Sequence, residues 1–91
     1  MTEIDLNKQG LEHVPDSLRV QIGLQTVNLG ENQLTTLPDW IGELTSLERL
    51  YVHANRLTHL PERIGQLKNL WVLDLAENEL TDLPESLARL E

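Results

Sequence analysis

Proline recurs at a fixed interval along this chain. The four prolines are Pro15, Pro38, Pro61 and Pro84, and each lies 23 residues from the next. A constant spacing over the length of a 91-residue chain indicates an internal repeat, in which every unit forms the same small piece of structure. The chain therefore divides into units of residues 1–23, 24–46, 47–69 and 70–91, which we expect to form a single domain, 1–91.

Leucine and other apolar residues recur with the same period. Twenty of the 91 residues are leucine, well above ordinary usage. Aligned by their prolines, the units share about seven apolar columns, two of which contain Ile4, Val27, Leu50 and Leu73, and Leu6, Leu29, Val52 and Leu75. One unit of this size has too little bulk to bury these columns, whereas stacked units share one continuous core.

Inside each unit the apolar spacing changes from two residues to three. The spacing of two, as in 50–52, is typical of a short strand. The spacing of three in 38–44 predicts a one-turn helix or a 3₁₀ segment, with the proline in its first turn and Gly42 stopping it. Between the two segments a recurring asparagine, Asn55 in the third unit, is expected to bond backbone groups that the turn leaves unpaired.

The combined pattern, LxxLxLxxNxLxxLPxxIGxLxx, resembles the leucine-rich repeat family, in its 23-residue Ras-suppressor-type class. The resemblance covers essentially the whole chain. It implies an α/β fold: a right-handed solenoid of four repeats, with a parallel β-sheet on the concave face and short helical or 3₁₀ segments on the convex face. It also implies a scaffold or regulator of signalling proteins.

The first and last units depart from this pattern. Arg19 and Gln21 stand where the first unit would have glycine and leucine, and Ala88 replaces the glycine of the last. Residues 84–90 are predicted to extend as an amphipathic turn of helix. Because such units cover the ends of the stack only partly, we expect self-association through the open solenoid ends, or removal from a longer protein.

Composition excludes several classes of function. The chain has 15 acidic and 7 basic residues and a net charge of -8, which disfavours nucleic acid and anionic membranes as partners. Cysteine is absent, so disulfides and thiolate metal sites are excluded. Neither a signal peptide nor an apolar run of transmembrane length is found, and we expect a cytoplasmic protein.

The outward positions of the strands carry the candidate binding site, because the inward positions are committed to the core. The predicted partner-binding residues centre on the third unit and its neighbour: Arg49, Tyr51, His53, Arg56, Trp71 and Asp74. Tyrosine, tryptophan and arginine are enriched in binding hot spots. Alternatively, Arg49, Tyr51 and Asp74 only satisfy one another as cross-strand neighbours on a solvated face.

The two tryptophans have different expected roles. Trp71 shares a column with polar residues, so it should be at least half exposed, as a contact anchor or as part of a self-association surface. Trp40 lies on the convex side, where we expect it to pack over the proline and isoleucine columns.

Catalysis and cofactor binding are not expected. His13 and His59 share a column two units apart, about 10 Å by strand spacing, which is too far for one zinc ion. His53 and Asp74 match a general base and its orienter, but the outward strand columns contain no serine or cysteine nucleophile. The sequence therefore favours a protein–protein interaction module without cofactor or metal; the alternative is a structural or engineered self-associating building block.

Overall fold

A parallel β-sheet forms one side of the computed structural model, which describes residues 2–21 and 23–84. In these residues it has four strands: β1 (Glu3–Asp5), β2 (Thr26–Asn28), β3 (Arg49–Tyr51) and β4 (Val72–Asp74). The strands pair in chain order, and the register places Thr26 opposite Arg49 and Arg49 opposite Val72. Residues paired across the sheet are therefore 23 positions apart, the same interval that separates the prolines. The predicted parallel sheet is confirmed.

Three 3₁₀ helices in the described residues form the other side of the repeats: η1 (Asp16–Val20), η2 (Asp39–Glu43) and η3 (Glu62–Gln66). Each follows a proline whose carbonyl accepts the first helical bond, such as the 3.1 Å bond from Ile41 N–H to Pro38 O. Pro38 itself is extended, with φ -70° and ψ 151°. The proline therefore immediately precedes the helix. The prediction that it lies in the first helical turn is wrong. The helical turn predicted at 84–90 lies, apart from Pro84, outside the described residues.

One apolar core fills the space between the strands and the 3₁₀ helices. Val27 and Leu50, the central residues of β2 and β3, are fully buried, while the residues on either side of them are partly exposed. This alternation follows from the period of two that the sequence shows. Trp40 is partly buried against the core, which confirms its predicted packing role.

The asparagine column supports the turn that follows each strand. Asn55 Nδ2 donates to the carbonyls of Leu29, Val52 and His53 at 3.0 to 3.1 Å, and its Oδ1 accepts from Leu34 N–H at 3.0 Å. The amide thus links two neighbouring repeats and satisfies backbone groups that no strand partner reaches. The same arrangement recurs at Asn32 and Asn78.

The residue before each of these asparagines, and before Gln9 in the first repeat, is left-handed although it is not glycine. The φ values are +60°, +55°, +54° and +59° at Lys8, Glu31, Ala54 and Glu77. This conformation costs an ordinary residue about 1–2 kcal/mol. It persists because the bonds on either side fix the turn.

Gly42 lies inside η2, and the prediction that it stops the helix is wrong. Neither Gly42 nor its counterpart Gly65 has a positive φ, so neither acts as a left-handed cap. A Cβ on Gly42 would lie 2.5 Å from the carbonyl oxygen of Arg63 and 3.0 Å from its Cβ. Glycine is needed because η2 and η3 approach each other closely at this point.

The first repeat differs from the others on its convex side. Arg19 stands where Gly42 stands in the second repeat, and η1 packs less closely on η2 than η2 does on η3. The Arg19 side chain instead extends to Glu43, with two N–O distances of 3.2 Å. The strand side is unaffected, because β1 pairs with β2 in the same register as the other strands.

Candidate functional site

Five of the six predicted binding residues lie on or beside two neighbouring strands. Arg49 and Tyr51 are the first and last residues of β3, and Asp74 ends β4 directly opposite Tyr51. Trp71 immediately precedes β4, and His53 follows β3 by two residues. We refer to these five residues as the concave cluster.

Arg49 and Trp71 form a stacked pair at one end of the concave cluster. The guanidinium carbon of Arg49 lies 4.7 Å from the centroid of the Trp71 ring, within the range of a cation–π interaction. Trp71 remains 65% exposed, in agreement with the expectation that it is at least half exposed. Within the described residues, Arg49 makes no ion pair and no side-chain hydrogen bond.

The mutual pairing of Arg49, Tyr51 and Asp74, which the sequence left open, is not observed in the described part of the chain. Asp74 Oδ1 accepts from Ala76 N–H at 3.2 Å, and its Oδ2 lies 3.5 Å from His53 Nδ1. Both oxygens of Asp74 are thus turned toward residues that follow the strands. The Tyr51 hydroxyl makes no hydrogen bond with a described residue.

Tyr51 also departs from the role that its column has in the other repeats. Asp5, Asn28 and Asp74 each accept, through a side-chain oxygen, the N–H two residues further on, at 2.9 to 3.2 Å. Such a bond holds the turn at the end of the strand. A tyrosine side chain is too long and too rigid to form it. The third repeat therefore lacks this support and presents a large aromatic ring at the centre of the face.

His53 fills the space between its two neighbouring repeats. Its ring lies over Gly30, where a Cβ would collide with the ring atoms, and its side chain is 27% exposed. Nδ1 is within ion-pair distance of Asp74 but is buried without a hydrogen bond. His53 thus forms the floor of the concave cluster beside Tyr51.

Gly30 is a site residue that the sequence analysis missed. It shares a column with His53, as do Asn7 and Ala76. The sequence signal was a glycine in the same column as His53, one repeat earlier. A glycine at that position leaves space for the imidazole ring.

Arg56 lies apart from the concave cluster. It follows Asn55, its backbone N–H donates to Leu34 O at 2.8 Å, and its side chain lines a separate groove. The other residues that line this groove are Glu12, His13, Gln33 and Thr35. The structure therefore brings five of the six predicted residues together and leaves Arg56 in a different surface feature.

Neither a metal site nor a membrane-spanning helix is found in residues 2–21 and 23–84. No group of three or more histidine, aspartate or glutamate side chains in these ranges is placed to hold a metal ion. In the same ranges, no helix has the length and apolar character needed to cross a bilayer.

Comparison with known proteins relates this architecture to a family. The family model described as leucine rich repeat matches residues 1–57 and again 45–91. A solved LRR protein of Leptospira interrogans matches 96% of the chain with 35% sequence identity and a TM-score of 0.79. The chain spans 28% of the length of that protein. Among curated proteins, no significant match was found.

Proposed function

The chain belongs to the leucine-rich repeat family, and from this premise we propose that it binds a protein partner through the concave cluster, in a scaffold or regulatory role. Leucine-rich repeat domains are generally protein–protein interaction modules. The site consists of Arg49, Tyr51, His53, Trp71 and Asp74. Arg56, in its separate groove, is at most a peripheral contact.

One observation carries this proposal: the largest side chains of the sheet face are grouped, are at least partly accessible and do not belong to the buried core. Trp71 is 65% exposed under the Arg49 guanidinium, and Tyr51 has given up the turn-supporting bond of its column. Rigid aromatic side chains and arginine contribute strongly to binding because they bury much area at a small cost in conformational entropy.

The architecture below the cluster supports the same function. The strand that holds Arg49 and Tyr51, β3, is fixed by a buried core and by asparagine bonds on both of its sides. A surface that is ordered before binding loses little entropy when a partner docks. Four strands spaced by about 4.8 Å give a face about 15–20 Å wide, so one partner footprint of about 800 Å² would use most of it.

Affinity capture with matched variants tests the proposal. Lysate proteins retained by the wild-type chain are compared with those retained by an Arg49→Ala/Tyr51→Ala variant and by an Arg63→Ala/Gln66→Ala control. Both variants lose one positive charge, but the control residues lie on η3, away from the sheet. We expect the specific partner to be lost only with the first variant, and its measured affinity to fall at least about tenfold.

Equal retention by all three chains would contradict the proposal, as would loss that occurs only with the η3 control. Circular dichroism of each variant, before the capture, shows whether the fold is intact.

A second candidate function is a structural, self-associating repeat unit. It is favoured by the apolar residues of β4: Val72 and Leu73 are only half-buried, and Trp71 beside them is exposed. In this alternative the partner is a second copy of the chain. The two functions differ in whether the isolated protein assembles by itself.

A further inference from the structure

We propose that the partner segment that docks on the concave cluster carries a carboxylate next to an apolar side chain. Arg49 would bind the carboxylate and the exposed part of the Trp71 ring would contact the apolar group. This inference rests on the proposed function and specifies the chemistry of its ligand.

Arg49 is placed over the Trp71 ring with its N–H donors available. Its guanidinium carbon lies 4.7 Å from the centroid of the Trp71 ring, and no described residue uses its N–H donors, so the donors are available to a ligand. Those donors match the two oxygens of a carboxylate in a bidentate pair. Arg19 shows this pairing within the same molecule, since its Nε and Nη2 reach the two oxygens of Glu43 at 3.2 Å.

No carboxylate of a described residue pairs with Arg49. Within the described residues Arg49 has no ion pair, and its neighbours in register, Thr26 and Val72, are uncharged. The nearby Asp74 is engaged by Ala76 N–H and faces His53. A carboxylate from a partner would therefore meet an available cation that is already fixed in position by the ring beneath it.

A single carboxylate suits this protein better than a polyanion. The net charge of -8 disfavours a polyanion such as nucleic acid, because the many negative charges of that ligand are repelled by the negatively charged protein. One carboxylate beside an apolar group needs only one cation and an exposed ring. Arg49 and Trp71 provide these two contacts next to each other, and the Tyr51 hydroxyl beside them can hydrogen-bond the backbone of a peptide.

A peptide-display selection on the 91-residue chain tests this inference. Random peptides displayed on phage are selected on the wild type, on Arg49→Gln and on the convex control Arg63→Gln. We expect the wild type and the control to enrich aspartate or glutamate adjacent to a large apolar residue, and Arg49→Gln to enrich neither acid. In a selected peptide, changing the acid to its amide should weaken binding about tenfold for the wild type and less than about twofold for Arg49→Gln.

The outcomes distinguish the two levels of the proposal. Peptides that lose binding with Tyr51→Ala, but contain no acid or tolerate the amide, would overturn the inference and leave the proposed function standing. Peptides that are insensitive to Tyr51→Ala, or a selection that enriches none, would contradict the proposed function and the inference together.

Discussion

The asparagine of the second, third and fourth repeats bonds backbone groups that no strand or helix satisfies. Asn55 bonds three carbonyls and one N–H from two repeats, and all four bonds are buried or nearly so. A buried backbone group that loses its partner costs about 1–3 kcal/mol. The turn after each strand, including its left-handed residue, depends on this one side chain.

Replacing Asn55 by alanine should therefore destabilise the protein strongly. We expect the free energy of unfolding in urea to fall by about 3 kcal/mol or more, since four hydrogen bonds are lost at once. Leu34 N–H is left buried without a partner, while each of the three carbonyls keeps one other donor. Asn69→Ala is the matched control: its side chain is exposed and makes one bond, to Thr45 O at 2.9 Å. The control should lose about 1 kcal/mol or less. Similar losses for both variants would contradict the bridging role of Asn55.

The sequence predicted the position of the concave cluster better than the contacts within it. The 23-residue register correctly places Tyr51 opposite Asp74. The same register places Arg49 opposite Val72, whereas its guanidinium lies over the ring of Trp71, the residue before Val72. Repeat offsets fix where each Cα lies, but not the direction of a long side chain.

At the scale of elements, the convex side is organised by the close approach of successive 3₁₀ helices. Gly42 permits η2 and η3 to touch, and Arg19 at the corresponding position of η1 accompanies a looser contact with η2. The sequence located these helices from the apolar spacing of three. It assigned the glycine wrongly because a recurring glycine near the end of a helix also fits a left-handed cap. The contact that requires it comes from the next repeat.

Gly42→Ala should lower stability by about 1–3 kcal/mol, because the new Cβ would overlap the Arg63 backbone and push η2 from η3. The neighbouring change Glu43→Ala removes only the exposed ion pair with Arg19, and should cost under about 1 kcal/mol. Urea unfolding of both variants measures the difference. A Gly42→Ala variant as stable as the wild type would show that η2 and η3 have room between them.

At the scale of the whole molecule, the period determines the fold and leaves the partner open. Inward columns repeat because each must fill the same space in the shared core, and the family match and the parallel sheet confirm that expectation. Outward columns vary more: the column of Arg49 contains Glu3, Thr26 and Val72. The outward positions are therefore where we propose that a partner docks. The contact between Arg49 and Trp71 is the basis for the chemistry that we propose for its ligand.

Self-association follows from the alternative function and is measured on the isolated chain. If β4 and Trp71 form a contact between copies, the average mass by light scattering should rise with protein concentration, and Trp71→Ser should reduce the rise. Glu48→Gln, in the same column as Trp71, serves as a surface control. A constant monomer mass at high concentration would contradict the self-associating building block.

The exposure of Trp71 in the presence of a bound partner tests the central claim most directly. In a Trp40→Phe variant, Trp71 is the only tryptophan, and its fluorescence reports on the concave cluster. With the partner that the wild-type chain captures, at a chain concentration where the protein is monomeric, we predict a blue shift of the emission and at least about a twofold loss of acrylamide quenching. An unchanged spectrum and unchanged quenching at saturating partner would show that the partner binds elsewhere, and would contradict this account.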